Sequence, residues 1–88
     1  MDDAQILETV KSVISRTAGI DLDDIGDTDA FVDDLDLDSL SMLEVWVDID
    51  REFKDYKVKI PNEELADIAT IPQAVTRIRE ELDRLQAE

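Results

Sequence analysis

The stretch that decides the fold is Phe31-Val32-Asp33-Asp34-Leu35-Asp36-Leu37-Asp38-Ser39-Leu40, where an acidic loop meets a helix. Asp38 is a favourable N-cap, because its carboxylate can accept a hydrogen bond from a free amide of the first turn. Ser39 then lies on that first turn, where free amides and the helix dipole favour an anion. A phosphodiester on its hydroxyl would be compatible with these surroundings, although Asp-Ser-Leu taken alone is better explained by capping.

The helix that follows Asp38 is predicted to run to about Phe53. Its buried stripe is predicted from apolar residues that recur at intervals of three, three and four, namely Leu43, Trp46, Ile49 and Phe53. Because Trp46 lies on this stripe, we interpret it as a core residue rather than as a ligand site. The positions expected to lie largely outside the stripe are Ser39, Leu40, Met42, Glu44, Val47, Asp48, Asp50 and Arg51.

Upstream of this block, the pattern predicts a first helix over about residues 3–17. Its apolar stripe consists of Ile6, Leu7, Val10, Val13 and Ile14. Gly19 follows the last turn, in the position where a glycine commonly ends a helix in the left-handed conformation. The first helix is therefore predicted to end just before Gly19.

Between the two helices, residues 21–38 contain nine aspartates and no basic residue. We expect a long loop attached to the core by its apolar side chains, Leu22, Ile25, Phe31, Val32, Leu35 and Leu37. An EF-hand register starting at Asp21 fails, because Ile25 and Val32 occupy positions five and twelve, where calcium ligands are required. Only weak, incidental cation binding is left open for this loop.

The chain around Phe53 to Ile60 carries the one basic cluster of the sequence, Arg51, Lys54, Lys57 and Lys59. Pro61 closes this segment, and residues 62–68 are predicted to form a short third helix. Thr70-Ile71-Pro72-Gln73 is a capping-box pattern that predicts the start of a last helix. Its apolar face consists of Ile71, Val75, Ile78, Leu82 and Leu85. The predicted fold is all-α, with three longer helices, one short helix and no strand.

Composition excludes several classes of function. The 88 residues fit one domain, spanning 1–88. The absence of cysteine excludes disulfides and thiolate sites, and the absence of histidine removes the commonest general base, so a self-contained hydrolase is disfavoured. A net charge of −15 disfavours nucleic acid and anionic lipid, and favours docking onto basic protein surfaces. With no apparent signal peptide or membrane-spanning run, we expect a cytoplasmic monomer without membrane insertion.

The pattern Phe-Val-x-Asp-Leu-x-x-Asp-Ser-Leu over residues 31–40, with Glu44 behind it and Lys59-Ile60-Pro61 further on, resembles the acyl carrier protein family. The resemblance covers nearly the whole chain. It implies a small four-helix bundle that catalyses no reaction alone. A phosphopantetheinyl transferase, using coenzyme A and magnesium, would attach 4′-phosphopantetheine to the Ser39 hydroxyl. The thiol of that arm would carry acyl groups as thioesters, which agrees with the absence of cysteine.

The resemblance also implies two further sets of site residues. The docking positions for partner enzymes are Asp38, Leu40, Glu44, Val47 and Asp50. The positions that line an acyl pocket between the second and third helices are Val32, Leu43, Ile49, Ile60, Leu65 and Ile68, for which an ordinary core role is the alternative. The implied partners are the transferase and the acyltransferase, ketosynthase, reductase or other tailoring enzymes that present basic docking surfaces.

The chain departs from the family pattern at four places. Asp36 replaces a common glycine, Arg51 replaces a frequent acid, Leu65 replaces a frequent smaller residue, and Lys54-Asp55-Tyr56 resembles an insertion. These departures leave the partner set open, and with it the choice between fatty-acid and polyketide synthesis. A peptidyl or D-alanyl carrier remains an alternative, as does an unmodified acidic helical adaptor that binds basic partners.

Overall fold

A computed structural model describes residues 2–87 of the chain. Its helices are α1 (Asp3–Ala18), α2 (Ser39–Glu52), α3 (Asn62–Leu65) and α4 (Ile71–Ala87), with single 3₁₀ turns at Leu22–Asp24 and Lys54–Tyr56. Within residues 2–87 the only β pairing is an isolated antiparallel bridge between Ala30 and Thr70. The predicted all-α bundle of three longer helices and one short helix is therefore confirmed, and a long acidic loop joins α1 to α2.

Both ends of α1 are capped by local sequence. The Asp2 carboxylate accepts a hydrogen bond from the Gln5 amide at 2.8 Å, and the Gln5 side chain accepts one from the Asp2 amide at 2.9 Å. At the other end Gly19 has φ 71° and donates its amide to the Ser15 carbonyl at 3.0 Å. The left-handed conformation carries no Cβ penalty at glycine, so the predicted end of the helix is confirmed.

The core is one apolar cluster to which α1, α2, α4 and the acidic loop all contribute. Helix α1 lies at its centre and packs against both α2 and α4. The largest fully buried side chains are Phe31, Phe53, Ile6, Ile14, Ile49, Ile71, Ile78, Val10, Val13 and Val45. Polar contacts at the edge add to this packing, since Thr17 donates a hydrogen bond to Asp48 and Arg16 pairs with Glu52 at 3.0 Å.

The acidic loop is attached to the core as predicted by four of its six apolar side chains. Those that are buried are Ile25, Phe31, Leu35 and Leu37. Leu22 and Val32 are exposed, so the prediction was wrong for these two. Backbone hydrogen bonds fix Phe31, which donates to the Ala69 carbonyl at 3.0 Å and accepts from the Leu37 amide at 3.0 Å. With Phe31 held in the core, its neighbour Val32 is left facing outward.

The buried stripe of α2 differs from the predicted one. Leu43 is 59% exposed, whereas Val45 is fully buried beside Trp46, Ile49 and Phe53. At about 100° per residue, these four buried residues and Met42 fall within one arc, and Leu43 lies about 110° from the centre of that arc. Met42 packs against the core, so its predicted place outside the stripe was also wrong. The spacing of three, three and four in the sequence is equally compatible with Leu43 in the buried stripe. Packing against α1 determines which residues of α2 are buried.

The segment from α2 to α4 contains more turns and less helix than predicted. Helix α3 ends at Leu65 rather than at Ile68, which folds back and is buried. The segment Lys54–Tyr56, which resembles an insertion, forms a separate 3₁₀ turn that ends at Lys57, with φ 59°. Helix α4 begins as predicted, because the Thr70 amide donates to Gln73 Oε1 at 3.1 Å and the Gln73 amide donates to Thr70 Oγ1 at 3.3 Å.

Helix α4 also holds the one buried charge found among the described residues. Glu81 is buried and pairs with Arg77 at 2.9 Å and with Arg84 at 2.6 Å. Arg77 also pairs with Glu64 at 2.9 Å and thereby ties α3 to α4. Hydrogen bonds from Arg84 and from Arg77 hold the pKa of the Glu81 carboxyl below its ordinary value. The predicted apolar face of α4 gave no indication of this pair.

Candidate functional site

Ser39 is the first residue of α2, and its side chain is exposed. Asp38 is the N-cap, and its carboxylate accepts a hydrogen bond from the Ser41 amide at 2.8 Å. Hydrogen bonds from the Ser41 amide and hydroxyl lower the pKa of the Asp38 carboxyl. Capping of the helix is therefore performed by Asp38 and not by Ser39. The Ser39 hydroxyl is left accessible at the positive end of a helix of 14 residues.

The turn that leads into α2 contains Asp36 in the left-handed conformation, with φ 56°. Its amide donates to the Val32 carbonyl at 3.1 Å, and the next amide, of Leu37, donates to Phe31. Aspartate enters this conformation more readily than most residues other than glycine. Asp36, which replaces a common glycine, thus adopts the positive φ that this turn requires. Asp38 and Ser39 still lie at the start of α2.

A cleft of about 580 Å³ opens directly beside Ser39. Its walls come from the end of the acidic loop, the first two turns of α2, and the segment around α3. The lining residues are Phe31, Val32, Leu37, Asp38, Ser39, Met42, Leu43, Trp46, Leu65, Ala66, Ile68 and Ala69. Most of these side chains are apolar, and Asp38 and Ser39 are the polar ones. An apolar chain attached at Ser39 would find a compatible surface within reach.

Four of the six predicted pocket positions line this cleft, namely Val32, Leu43, Leu65 and Ile68. The other two, Ile49 and Ile60, are buried in the core and do not line it. Sequence reasoning did not select Met42 and Trp46 for the pocket. Trp46 is both part of the core and part of the cleft wall, so the choice between core and site does not apply to it.

The predicted docking residues all lie on the surface. Asp38, Leu40, Glu44, Val47 and Asp50 are exposed. Leu40 is 66% exposed and Val47 is 42% exposed, and the exposed Leu43 lies between them along α2. Large apolar side chains exposed together on one helix are typical of an interaction surface. Leu43 was missed for this face, although it is spaced three from Leu40 and four from Val47.

Acidic and basic side chains lie close together near the C-terminal end of α2. Asp48 pairs with Arg51 at 3.5 Å near the C-terminal end of the helix. Partial desolvation raises the pKa of the nearby Asp50 carboxyl, and the charge of Lys59 acts against that rise. The exposed surface of α2 is therefore acidic and apolar over most of its length, and basic side chains gather beyond its C-terminal end.

Two other kinds of feature are absent from the part of the chain that the structure covers, namely a metal-binding cluster and a membrane-spanning helix. Across residues 2–87, no three acidic side chains are arranged to hold a metal ion. None of the helices described is both long enough and apolar enough to cross a lipid bilayer. The surroundings of Ser39 thus combine the exposed hydroxyl, the apolar cleft and the exposed face of α2 at one end of the bundle.

Comparison with known proteins agrees with this geometry. Residues 8–78 match the family model described as "Phosphopantetheine attachment site". The chain is 40% identical over 75 residues to the meromycolate extension acyl carrier protein of Mycobacterium leprae, covering 85% of this chain and 63% of that protein. It is 39% identical over 74 residues to the acyl carrier protein of Acidothermus cellulolyticus, with 84% of each chain covered. The acyl carrier protein of Rhodococcus erythropolis is 34% identical, over 96% of this chain and 85% of that one.

The first of these relatives is thus longer than the region of similarity, since this chain spans 63% of its length. The other two are matched over most of their length. The family's prosthetic group, 4′-phosphopantetheine, suits the residues present, because an exposed hydroxyl stands at a helix N-terminus beside an apolar cleft. By fold, by the motif at residues 31–40 and by these similarities, the chain belongs to the acyl carrier protein family.

Proposed function

We propose that residues 1–88 act as one carrier domain, whose 4′-phosphopantetheine arm is attached to the Ser39 hydroxyl. The observation that carries the proposal is the exposed Ser39 hydroxyl beside the 580 Å³ cleft, in a chain of this family. When bound, the arm supplies a thiol on which acyl groups are held as thioesters. The protein itself contains no cysteine or histidine, and its part is to hold, shelter and present rather than to catalyse.

The first turn of α2 would orient the phosphodiester. Its free amides and the positive end of the helix dipole stabilise negative charge at this place. The Asp38 carboxylate already accepts a hydrogen bond from the Ser41 amide at 2.8 Å, so Asp38 fixes the turn without blocking Ser39. A transferase that approaches this end of α2 meets an accessible hydroxyl and a rigid helix behind it.

The cleft and the exposed face of α2 would divide the remaining work. Val32, Leu43, Leu65 and Ile68 offer apolar surface to an acyl chain that turns back onto the protein. Ile49 and Ile60 act from the core behind that surface. Leu40, Glu44 and Val47 would contact partner enzymes, and the acidic side chains Asp38, Glu44 and Asp50 would steer the domain onto basic docking surfaces.

The pathway that suits these features is fatty-acid or polyketide synthesis with separate enzymes. The relatives named for meromycolate extension point to long acyl chains as one cargo class. The partners would be a phosphopantetheinyl transferase together with an acyltransferase, a ketosynthase and reductases, and the site of action would be the cytoplasm. A peptidyl carrier would be expected to have a less acidic face than α2 presents. An unmodified adaptor would leave the exposed Ser39 and its cleft without a role.

The experiment that tests the carrier function is acyl loading. The protein is first treated with coenzyme A, magnesium and a broad-specificity phosphopantetheinyl transferase, and then with malonyl coenzyme A and a type II acyltransferase. We expect one malonyl group per chain by intact mass, released by neutral hydroxylamine because a thioester is cleaved under these conditions. Malonyl-group addition that resists hydroxylamine, or no addition to a chain that has accepted the arm, would contradict the proposal.

A further inference from the structure

Three lysines stand apart from the other basic side chains of this acidic protein. Six of the nine basic residues form ion pairs within 4 Å, namely Lys11, Arg16, Arg51, Arg77, Arg79 and Arg84. Over residues 2–87, no ion pair within 4 Å is made by Lys54, Lys57 or Lys59, although the chain has 24 carboxylate residues. All three lie within six residues of one another, in and just after the insertion that follows α2.

The backbone presents these lysines in a defined arrangement. The Tyr56 amide donates to the Phe53 carbonyl at 3.0 Å, and the Lys57 amide donates to the Lys54 carbonyl at 3.1 Å. Phe53 is fully buried and anchors the turn, with its ring centroid 6.3 Å from that of Tyr56. Tyr56 is 47% exposed, and it adds an aromatic surface of the kind enriched in protein interfaces. We call Lys54, Tyr56, Lys57 and Lys59 the lysine patch.

The lysine patch follows α2 directly along the chain. Helix α2 ends at Glu52, and Lys54 begins the 3₁₀ turn two residues later. Glu44 lies eight residues before Glu52, which corresponds to about 12 Å along the helix, and the lysines follow beyond that end. This separation exceeds the Debye length of about 8 Å at physiological ionic strength. A partner can therefore contact Glu44 and the lysine patch as separate charges.

Resting on the proposed function, we propose that the lysine patch is a second docking contact, which binds a carboxylate-bearing segment beside the basic docking surface of a partner enzyme. The patch fixes the direction in which α2 lies on the partner, because an acidic helix that is followed at one end by a basic turn fits a complementary surface in one orientation only. A net charge of −15 disfavours an anionic membrane or a nucleic acid as the occupant.

The test compares two variants of equal net charge. Lys54→Gln/Lys57→Gln weakens the patch, and Thr28→Glu/Thr76→Glu adds two negative charges at exposed positions in the acidic loop and on α4. Each variant changes the net charge from −15 to −17. Lys59 is retained because its charge acts on Asp50, a residue of the docking face. The arm-bearing proteins are assayed at subsaturating concentration with the acyltransferase, ketosynthase and reductase of Acidothermus cellulolyticus.

We expect kcat/KM to fall about threefold to tenfold for the lysine variant with at least one of the three enzymes, because a charged contact at the rim of an interface acts mainly on association. The charge-matched variant should be as fast as wild type or faster. If only overall acidity matters, the lysine variant will equal or exceed wild type with all three enzymes, and the inference is then wrong. Thermal melts should show both variants folded.

Two controls separate the remaining outcomes. In the first control, both proteins are mixed with vesicles of phosphatidylglycerol and phosphatidylcholine. If wild type binds the vesicles, the lysine variant does not, and the two have equal enzyme rates, the patch binds a membrane and the inference is wrong. A wild-type protein that takes no arm, or that serves none of the three enzymes, would refute the proposed function and the inference with it. A wild type that works while the lysine variant works equally well would refute the inference alone.

Discussion

The Asp38 carboxylate accepts a hydrogen bond from the Ser41 amide at 2.8 Å, and this bond caps α2 while the hydroxyl of the intervening Ser39 stays exposed. Two adjacent residues thus have separate tasks, and the cap is the one that the sequence predicts for Asp38. Asp38 satisfies the helix end, and Ser39 is available for chemistry. Because the capping bond favours the ionised carboxylate, the pKa of Asp38 lies below its ordinary value of 3.8.

The lowered pKa of Asp38 predicts a pH-dependent contribution to stability. A carboxyl whose pKa is lower in the folded state stabilises the fold fully above its unfolded pKa, and that stabilisation is lost as the pH falls through the folded pKa. Asp38→Asn keeps a capping oxygen but does not titrate. In thermal melts between pH 2.5 and 6, we expect the gap between wild type and Asp38→Asn to be constant above about pH 5 and to narrow in acid. A gap that widens in acid would contradict this assignment.

The ion pairs of the buried Glu81 carboxylate predict an effect on the free energy of unfolding. Glu81→Gln should lower the free energy of unfolding by about 1–3 kcal/mol, because Arg77 and Arg84 lose a charged hydrogen-bond acceptor. Glu80, the neighbouring residue, is exposed, so Glu80→Gln is the matched control. It should change the free energy of unfolding by less than about 0.5 kcal/mol. Urea unfolding at pH 7 measures both values. Equal stabilities for the two variants would show that the Glu81 pairs contribute nothing.

The strained backbone at Lys57 predicts a stabilising substitution. Lys57 has φ 59°, a conformation that costs residues other than glycine about 1–2 kcal/mol. Lys57→Gly relieves this strain but increases the entropy of the unfolded chain, at a cost of about 0.4–1 kcal/mol. We therefore expect a net gain of about 0.5 kcal/mol in the free energy of unfolding, from the difference of these two terms. The control Lys59→Gly, which has no positive φ to relieve, should be destabilising, and a loss at both positions would contradict the argument.

The proposed docking face predicts a kinetic effect of Glu44→Lys. The side chain is exposed, so the fold should be unaffected, while reversal of its charge opposes docking onto a basic surface. We expect acyl transfer to partner enzymes to slow by about tenfold at low salt, with a smaller difference at physiological ionic strength. Glu8→Lys on α1 makes the same change of net charge on another face. If Glu8→Lys slows transfer equally, net charge rather than the α2 face governs docking.

Most of the fold could be predicted from the sequence because its signals are local. Gly19, the Asp38 cap and the capping box at Thr70 and Gln73 each act within one turn, and the structure has them as expected. Leu43 could not be placed, because the helical spacing allowed two registers and only packing against α1 chose between them. The burial of Glu81 also depends on tertiary contacts, namely the position of Arg77 between α3 and α4.

The candidate site was predictable to a similar degree. The motif at residues 31–40 indicated Ser39, whereas the walls of the cleft depend on how the loop and the segment around α3 meet α2. Val32, Leu43, Leu65 and Ile68 meet there, and Ile49 and Ile60 do not, because they face the interior of the bundle. Helical periodicity describes one element at a time, so it carries no information on which residues of different elements share a cleft.

Attachment of the arm to Ser39 can be measured directly by intact-mass spectrometry. Wild type, Ser39→Ala and Ser41→Ala are incubated with coenzyme A, magnesium and a broad-specificity phosphopantetheinyl transferase, beside a carrier known to be modified. Ser41 is a second serine in the first turn of α2, two residues after Ser39, so Ser41→Ala controls for the loss of a hydroxyl. We predict a gain of one phosphopantetheine in wild type and Ser41→Ala and none in Ser39→Ala. No gain in wild type, or a gain in Ser39→Ala, would contradict the account.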